Sequence, residues 1–238
     1  MTTPSPDTAP AVPYGTPDAP RIAVRGEAHL EVDPEIARIG VTVAARGKDR
    51  RTALDDLTRR NTTVLDLIKT YGDAVEKLET GSFSITPELK EKGRGERIHA
   101  YHGRVRITAE LTDFTALGEL TTRIADLDLT HVDGPWWALR LNSPAYRNAR
   151  QQAVREAVQR AQEYAEALGT TLAALVELAD IGAENAQPLT PAAPGGRMRS
   201  MSYAAAEDTA AAPLDLEPQR QRVYAQVNAR FTMHPPRL

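Results

Sequence analysis

The chain lacks several residue types on which whole classes of function depend. It contains no cysteine, which excludes disulfides, thiolate-bound metals and cysteine nucleophiles. Aromatic residues make up 5% of its 238 residues, too few to expect a surface on which nucleic-acid bases stack. The formal net charge is only −3, so there is no overall field that would draw the protein onto DNA or an anionic membrane. We therefore expect no nucleic-acid partner.

Long apolar runs are also missing. No stretch approaches the roughly 20 apolar residues that cross a bilayer, so membrane insertion is not expected. Residues 1–20 are rich in proline and have neither the basic nor the apolar segment of a secretory signal. They predict a disordered leader and, by default, a cytoplasmic location.

What remains is the composition of an ordinary globular protein, with 41% hydrophobic and 26% charged residues. Apolar residues alternate with polar ones over several segments, as in strands that have one wet face. These segments are 21–32, 37–45, 78–89, 98–111 and 222–233. The first two are separated by Asp33-Pro34 and are predicted to pair antiparallel. Two further strands are predicted at 131–141 and at 172–181, the second of which is apolar on both sides in places.

Three further segments change to the period of a helix: 48–71, 113–125 and 143–168. Ser143-Pro144 is a strong helix-start signal, because serine accepts free first-turn amides and proline at the first position loses no hydrogen bond. The order is ββαββαβαββ. It favours an α+β fold with a mainly antiparallel sheet and helices packed on one face, and its βαββαβ part indicates a split, ferredoxin-like unit.

The domain prediction is a single α+β domain over 21–233, followed by a tail at 234–238. The apolar alternation fails between residues 182 and 219, where proline, glycine and alanine dominate. A connection of that length is uncommon in a compact domain unless it is functional or disordered. We predict a long flexible insertion there.

The ordered succession of these motifs resembles the SIMPL-domain family, which includes YggE-like proteins and bacterial periplasmic immunogenic proteins. The resemblance covers about residues 21–233. It rests on Ile22–Glu27, Val32–Pro34, Thr80–Pro87, Tyr101, the alanine-rich helix from Ala149 to Gly169, and Val223–Phe231.

This resemblance implies an α+β fold, a tendency to form homo-oligomers and no established enzymatic activity. It supplies no catalytic residues. Family members are commonly exported, which makes the cell envelope the alternative location. A link to stress response is a further implication of the resemblance.

The residues themselves assemble no chemical site. His99 and His102 are three apart on a strand and so face opposite sides, which prevents them from chelating one ion. No serine lies in a Gly-x-Ser-x-Gly turn, and Gly93-Arg94-Gly95 lacks the lysine and hydroxyl of a phosphate loop. We therefore assign no catalytic residue, no metal and no cofactor.

Interface candidates are easier to find. Trp136 and Trp137 are adjacent on a strand, so one side chain can lie in the core while the other faces a partner, and tryptophan is enriched at binding hot spots. Arg104 and Arg106 alternate with apolar residues and mark a wet sheet face or a subunit contact.

The insertion holds a further candidate. Simple disorder is the favoured interpretation of its basic, methionine-containing part. The alternatives are a docking segment, an arm exchanged between subunits or a phosphorylation target. The residues concerned are Arg197, Met198, Arg199, Met201 and Tyr203.

These observations favour a non-enzymatic scaffold or protein-interaction module that forms a homo-oligomer and has a protein partner. The alternative is a small-ligand-binding protein or enzyme with a pocket between sheet and helices.

Overall fold

The computed structural model describes residues 15–90, 97–180, 182–183 and 214–237. In these ranges the chain forms seven strands and three helices in the order ββαββαβαββ, so the predicted order and the α+β class are confirmed. The elements are β1 (Arg21–Val32), β2 (Ile36–Gly47), α1 (Arg50–Lys69), β3 (Val75–Lys90), β4 (Arg97–Leu111), α2 (Phe114–Ala125), β5 (Thr130–Ala138), α3 (Pro144–Ala167), β6 (Leu172–Asp180) and β7 (Gln221–Met233).

The chain divides into two compact units. Among the described residues, the first unit comprises 15–32, 142–180, 182–183 and 222–237, with a three-stranded sheet in the order β1-β7-β6. The second comprises the described parts of 33–141 and 214–221, with a four-stranded sheet in the order β3-β4-β2-β5. A single domain over 21–233 stays a prediction.

The prediction that β1 and β2 pair with each other is wrong. Both edges of β2 are hydrogen-bonded, one to β4 and the other to β5. No edge is therefore left for β1, which lies beside β7 in the other sheet.

The second unit is a split βαβ arrangement. Strand β4 runs antiparallel between β2 and β3, and β5 completes the sheet on the far side of β2. The odd-numbered residues of β2 and of the 103–111 segment of β4 are buried on the side of α1 and α2, because alternate side chains of a strand point to one face. The central buried residues are Ile39, Val41, Val43, Val105, Ile107, Ala109, Leu57, Val64, Ile68, Leu117, Leu120 and Ile124.

In the first unit, α3 packs mainly against β1. It begins at the Ser143-Pro144 signal, where the serine hydroxyl accepts from the Ala145 amide at 3.3 Å. Its buried side is a stripe of alanines, which lets the helix approach the sheet closely: Ala145, Ala149, Ala153, Ala157, Ala161 and Ala165. The approach is closest at Gly26 of β1, where a Cβ atom would lie 2.5 Å from the Ala157 amide nitrogen.

Part of the connection at 182–219 is described. The Leu214 amide donates to the Thr122 hydroxyl of α2 at 3.1 Å, and Leu216 packs partly buried against the core of the second unit. Residues 214–219 are thus held against that unit. Residues 184–213, where most of the predicted insertion falls, lie outside the described residues.

No helix in the described parts of the chain is long and apolar enough to cross a membrane.

Candidate interaction sites

The first candidate site is the face of the second unit's sheet that does not carry the helices. It presents the even-numbered residues of β2 and β4. In the middle of β2 these are small, namely Gly40, Thr42 and Ala44, whereas longer side chains flank them on both neighbouring strands. The difference in side-chain size leaves a groove of about 470 Å³ over β2, which we call the β2 groove.

The walls of the β2 groove come from β4 and from the start of β5. Its lining residues are Thr42, Ala44, Arg104, Leu129, Thr130 and His131. At one end, Arg106 and Trp136 both reach over Gly40: a Cβ atom on that glycine would lie 3.1 Å from the Arg106 Nη2 and 3.4 Å from the Trp136 ring. The structure therefore brings three of the predicted site residues together, Arg104, Arg106 and Trp136.

The two tryptophans lie on opposite faces of the sheet, as alternation along a strand requires. Trp137 points to the helix side, where its ring meets Phe114 edge to face with centroids 4.8 Å apart. Trp136 points to the groove side and is 44% exposed. Only Trp136 is therefore placed to meet a partner; Trp137 is part of the packing.

Ion pairs occupy most other charges on this face. Arg38 pairs with Glu110 at 2.6 Å, Arg46 pairs with Glu88 at 2.7 Å, and His102 lies 2.8 Å from the same Glu88 carboxylate. Each of these acids is thus engaged by at least one basic side chain.

Arg104 and Arg106 differ from these neighbours. Among the described residues, neither guanidinium has a hydrogen bond or an ion pair. The two side chains are therefore the basic groups of this face that remain available to an incoming anion.

The pairing at Glu88 gives a pH-dependent prediction. The hydrogen bonds from His102 and, second, from Arg46 hold the pKa of the Glu88 carboxyl below its usual value. Because the folded-state pKa is lowered, the stabilisation is present at neutral pH and is lost as the pH falls through that lowered pKa. We expect His102→Gln to raise the pKa of Glu88, measured by carboxyl-carbon NMR. An unchanged titration of Glu88 in this variant would contradict the assignment.

The second candidate site is on the first unit. Because α3 packs mainly against β1, the apolar side chains of β6 on the helix side of the sheet are left uncovered. Leu175, opposite Phe231 in the register, is 54% exposed, and Leu178, opposite Ala229, is 47% exposed. With Val176 and with Leu168 just after α3, both also exposed, these residues form what we call the β6 strip.

β6 is also an edge strand. Within the described residues its only strand neighbour is β7, so one row of backbone N–H and C=O groups has no strand partner. Natural proteins usually protect such an edge with charges, proline or a covering element. β6 carries the charged Glu177, but it also presents the exposed leucine and valine side chains of the β6 strip.

Sequence reasoning did not select the β6 strip. The signal was there, because residues 172–181 are apolar on both sides in places. A strand that is apolar on both sides is typical of a buried position in a sheet. The structure shows that β6 is exposed, because α3 packs mainly against β1.

The remaining candidates form no site in the structure. Arg197, Met198, Arg199, Met201 and Tyr203 lie outside the described residues. In the parts of the chain that are described, no three histidine or acidic side chains come together to hold a metal ion.

Fold and surfaces together define an α+β protein with two antiparallel sheets, one with an open grooved face and the other with an uncovered apolar edge strand. A family model matches residues 22–231: SIMPL, described as a protein of unknown function (DUF541). The chain belongs to this family, as its motifs indicate.

The chain is similar to proteins with two different names. The chain is 26% identical over 195 residues to the 26 kDa periplasmic immunogenic protein of Brucella melitensis, covering 79% of this chain and 76% of that protein. The protein of the same name from Brucella abortus gives the same figures. The chain is 24% identical over 159 residues, 66% of each chain, to the uncharacterized protein YggE of Edwardsiella ictaluri.

Proposed function

We propose that this protein is an interaction module that acts by binding rather than by catalysis, and that it self-associates through the β6 strip. The observation that carries the proposal is the combination of a free strand edge and exposed apolar side chains on β6. Exposed contiguous apolar surface of this kind marks interaction sites in soluble proteins.

A second copy of the chain is the partner that fits this edge. Two β6 strands can meet antiparallel around a two-fold axis, which closes both edges at once and buries Leu175 and Leu178 of both copies. The charged residue Glu177 does not oppose this contact, because it already forms an ion pair with Arg230 of β7. Closed two-fold pairing covers the β6 edge of both copies, so this contact by itself does not extend into an open chain of subunits.

The proposal is tested by the solution mass of the protein, measured by light scattering on a sizing column. We expect the native chain to elute at a discrete multiple of its 26.0 kDa chain mass. The double variant Leu175→Ser/Leu178→Ser is expected to shift to the single-chain mass, because burying serine hydroxyls in that contact is unfavourable.

The matched control is Leu141→Ser, which changes a fully exposed leucine of the second unit. It should leave the mass unchanged. A native chain that elutes at the single-chain mass at every concentration would overturn the proposal, as would a double variant that keeps the native mass.

We also propose that the protein works in the cell envelope. The support is the printed name of the Brucella relatives, which calls them periplasmic; the cytoplasmic expectation has no such support. Fractionation of cells that express the natural gene tests this, with recovery in the periplasmic fraction expected and recovery with the cytosol contradicting it. A role in stress response stays a prediction.

A further inference from the structure

We propose that the β2 groove is a binding site for a small organic anion, namely a carboxylate that has an apolar body. The inference does not depend on self-association, because the groove is built from the second unit and the β6 strip from the first.

The shape of the groove sets the form of the ligand. Thr42 and Ala44 provide its floor, a span of about 7 Å at about 3.3 Å per residue. Arg104 of β4 stands on one side and His131 of β5 on the other. At one end the groove is bounded by Arg106 and Trp136, which cover Gly40. A volume of about 470 Å³ lies within the usual range of small-molecule sites.

The charges decide the sign of the ligand. Arg104 lines the groove and Arg106 reaches over its end, and neither is paired within the described residues. The acids of the face are already engaged: Glu110 by Arg38, Glu88 by Arg46 and His102. Asp133 likewise lies 3.0 Å from His131. An incoming carboxylate therefore meets two guanidinium groups that have no partner in the described part of the chain, and arginine binds carboxylates through paired hydrogen bonds.

The lining of the groove also favours an organic ligand over an inorganic ion. Ala44 and Leu129 offer apolar surface beside Arg104, and the half-exposed ring of Trp136 lies beside Arg106 at the Gly40 end. Such surface gains free energy only from a ligand that has apolar atoms to bury. The hydroxyls of Thr42 and Thr130 supply hydrogen-bonding groups between the apolar and basic parts.

The backbone at Leu129 supports a built site. Leu129 has φ of +54°, the only positive φ of a non-glycine residue among the described residues. That conformation is costly for a bulky side chain and is found preferentially at binding and active sites. It is held in place by the Ala44 amide, which donates to the Leu129 carbonyl at 2.8 Å.

The experiment uses the indole N–H signal of Trp136 in a proton–nitrogen NMR spectrum. The full-length variant Trp137→Phe leaves Trp136 as the single tryptophan of the chain, so its signal is unambiguous. The probes are benzoate, the neutral isostere benzamide and inorganic phosphate, each added at the same pH and ionic strength.

We expect benzoate to shift the Trp136 signal saturably and benzamide and phosphate to leave it in place. Adding Arg104→Gln should weaken benzoate binding by about tenfold or more, because the charge-assisted hydrogen bonds to the carboxylate are lost. Arg51→Gln, which removes an exposed arginine of α1 on the other side of the sheet, should bind as tightly as its parent.

Three results would overturn the proposal: no shift with benzoate, an equal shift with benzamide, or a shift with phosphate alone. Loss of binding in Arg51→Gln as well as in Arg104→Gln would also contradict it, because a general charge effect would then explain the binding. Arg106→Gln is the second variant, used if Arg104→Gln loses the dispersed spectrum of a folded chain; it should weaken benzoate binding in the same direction.

Discussion

Replacing Gly26 with alanine is expected to destabilise the first unit by about 3 kcal/mol, at the upper end of the usual cost of overpacking. The added Cβ would overlap the Ala153 carbonyl oxygen and lie 2.5 Å from the Ala157 amide nitrogen. Both are backbone atoms in the middle of α3, so no side chain can turn aside to make room. The helix must move away from β1, and the contacts of its alanine stripe are lost with it.

The sign of this effect is informative because an alanine in a strand normally stabilises relative to glycine. The free energy of unfolding is measured by denaturant titration with circular dichroism. Gly81→Ala is the matched control: it lies in β3, and the nearest atom to its added Cβ is the Arg106 carbonyl oxygen at 3.5 Å, an ordinary contact. Equal stability of the two variants would refute the close approach of α3 to β1.

The second large effect is expected at the centre of the second unit. Ile107 of β4 is fully buried among the residues of β2 and the two helices, and Ile107→Ala should cost about 2–5 kcal/mol, the usual range for such a truncation. The cost combines the lost transfer of the side chain from water with the cavity left behind. Tryptophan fluorescence reports the unfolding, since Trp137 packs against the same core.

Ile98→Ala provides the comparison within the same strand. Ile98 is 53% exposed, so its truncation removes little buried area and should change stability by less than about 0.5 kcal/mol. If the two variants unfold at the same denaturant concentration, β4 does not present alternate residues to the core as described.

The order of the elements was readable from the sequence because each element carries its own period. β7 is the clearest case: Val223, Ala225 and Val227 alternate with polar neighbours, and all three are buried. Strand pairing is different, since it depends on which distant segments meet. β2 follows β1 directly in the sequence, yet β1 pairs with β7, which begins about 190 residues after β1 ends.

The candidate sites likewise divide into features that the sequence predicts and features that depend on strand pairing. The opposite faces of Trp136 and Trp137 follow from strand alternation alone. The β2 groove does not, because it needs the register that sets Ala44 opposite Arg104 and Thr42 opposite His131. Self-association was expected from the family resemblance. The surface proposed for it, the β6 strip, could be identified only from the structure, in which α3 packs against β1 and leaves β6 exposed.

Self-association through β6 is tested by amide hydrogen exchange of residues 172–179. In one chain, the β6 amides that point away from β7 have no strand partner within the described residues, so we expect them to exchange quickly. We expect these amides to become protected as the protein concentration rises, in step with the solution mass, and Leu175→Ser/Leu178→Ser to abolish the protection. Fast exchange at these amides in an assembled native protein would refute pairing through β6, because assembly would then use another surface.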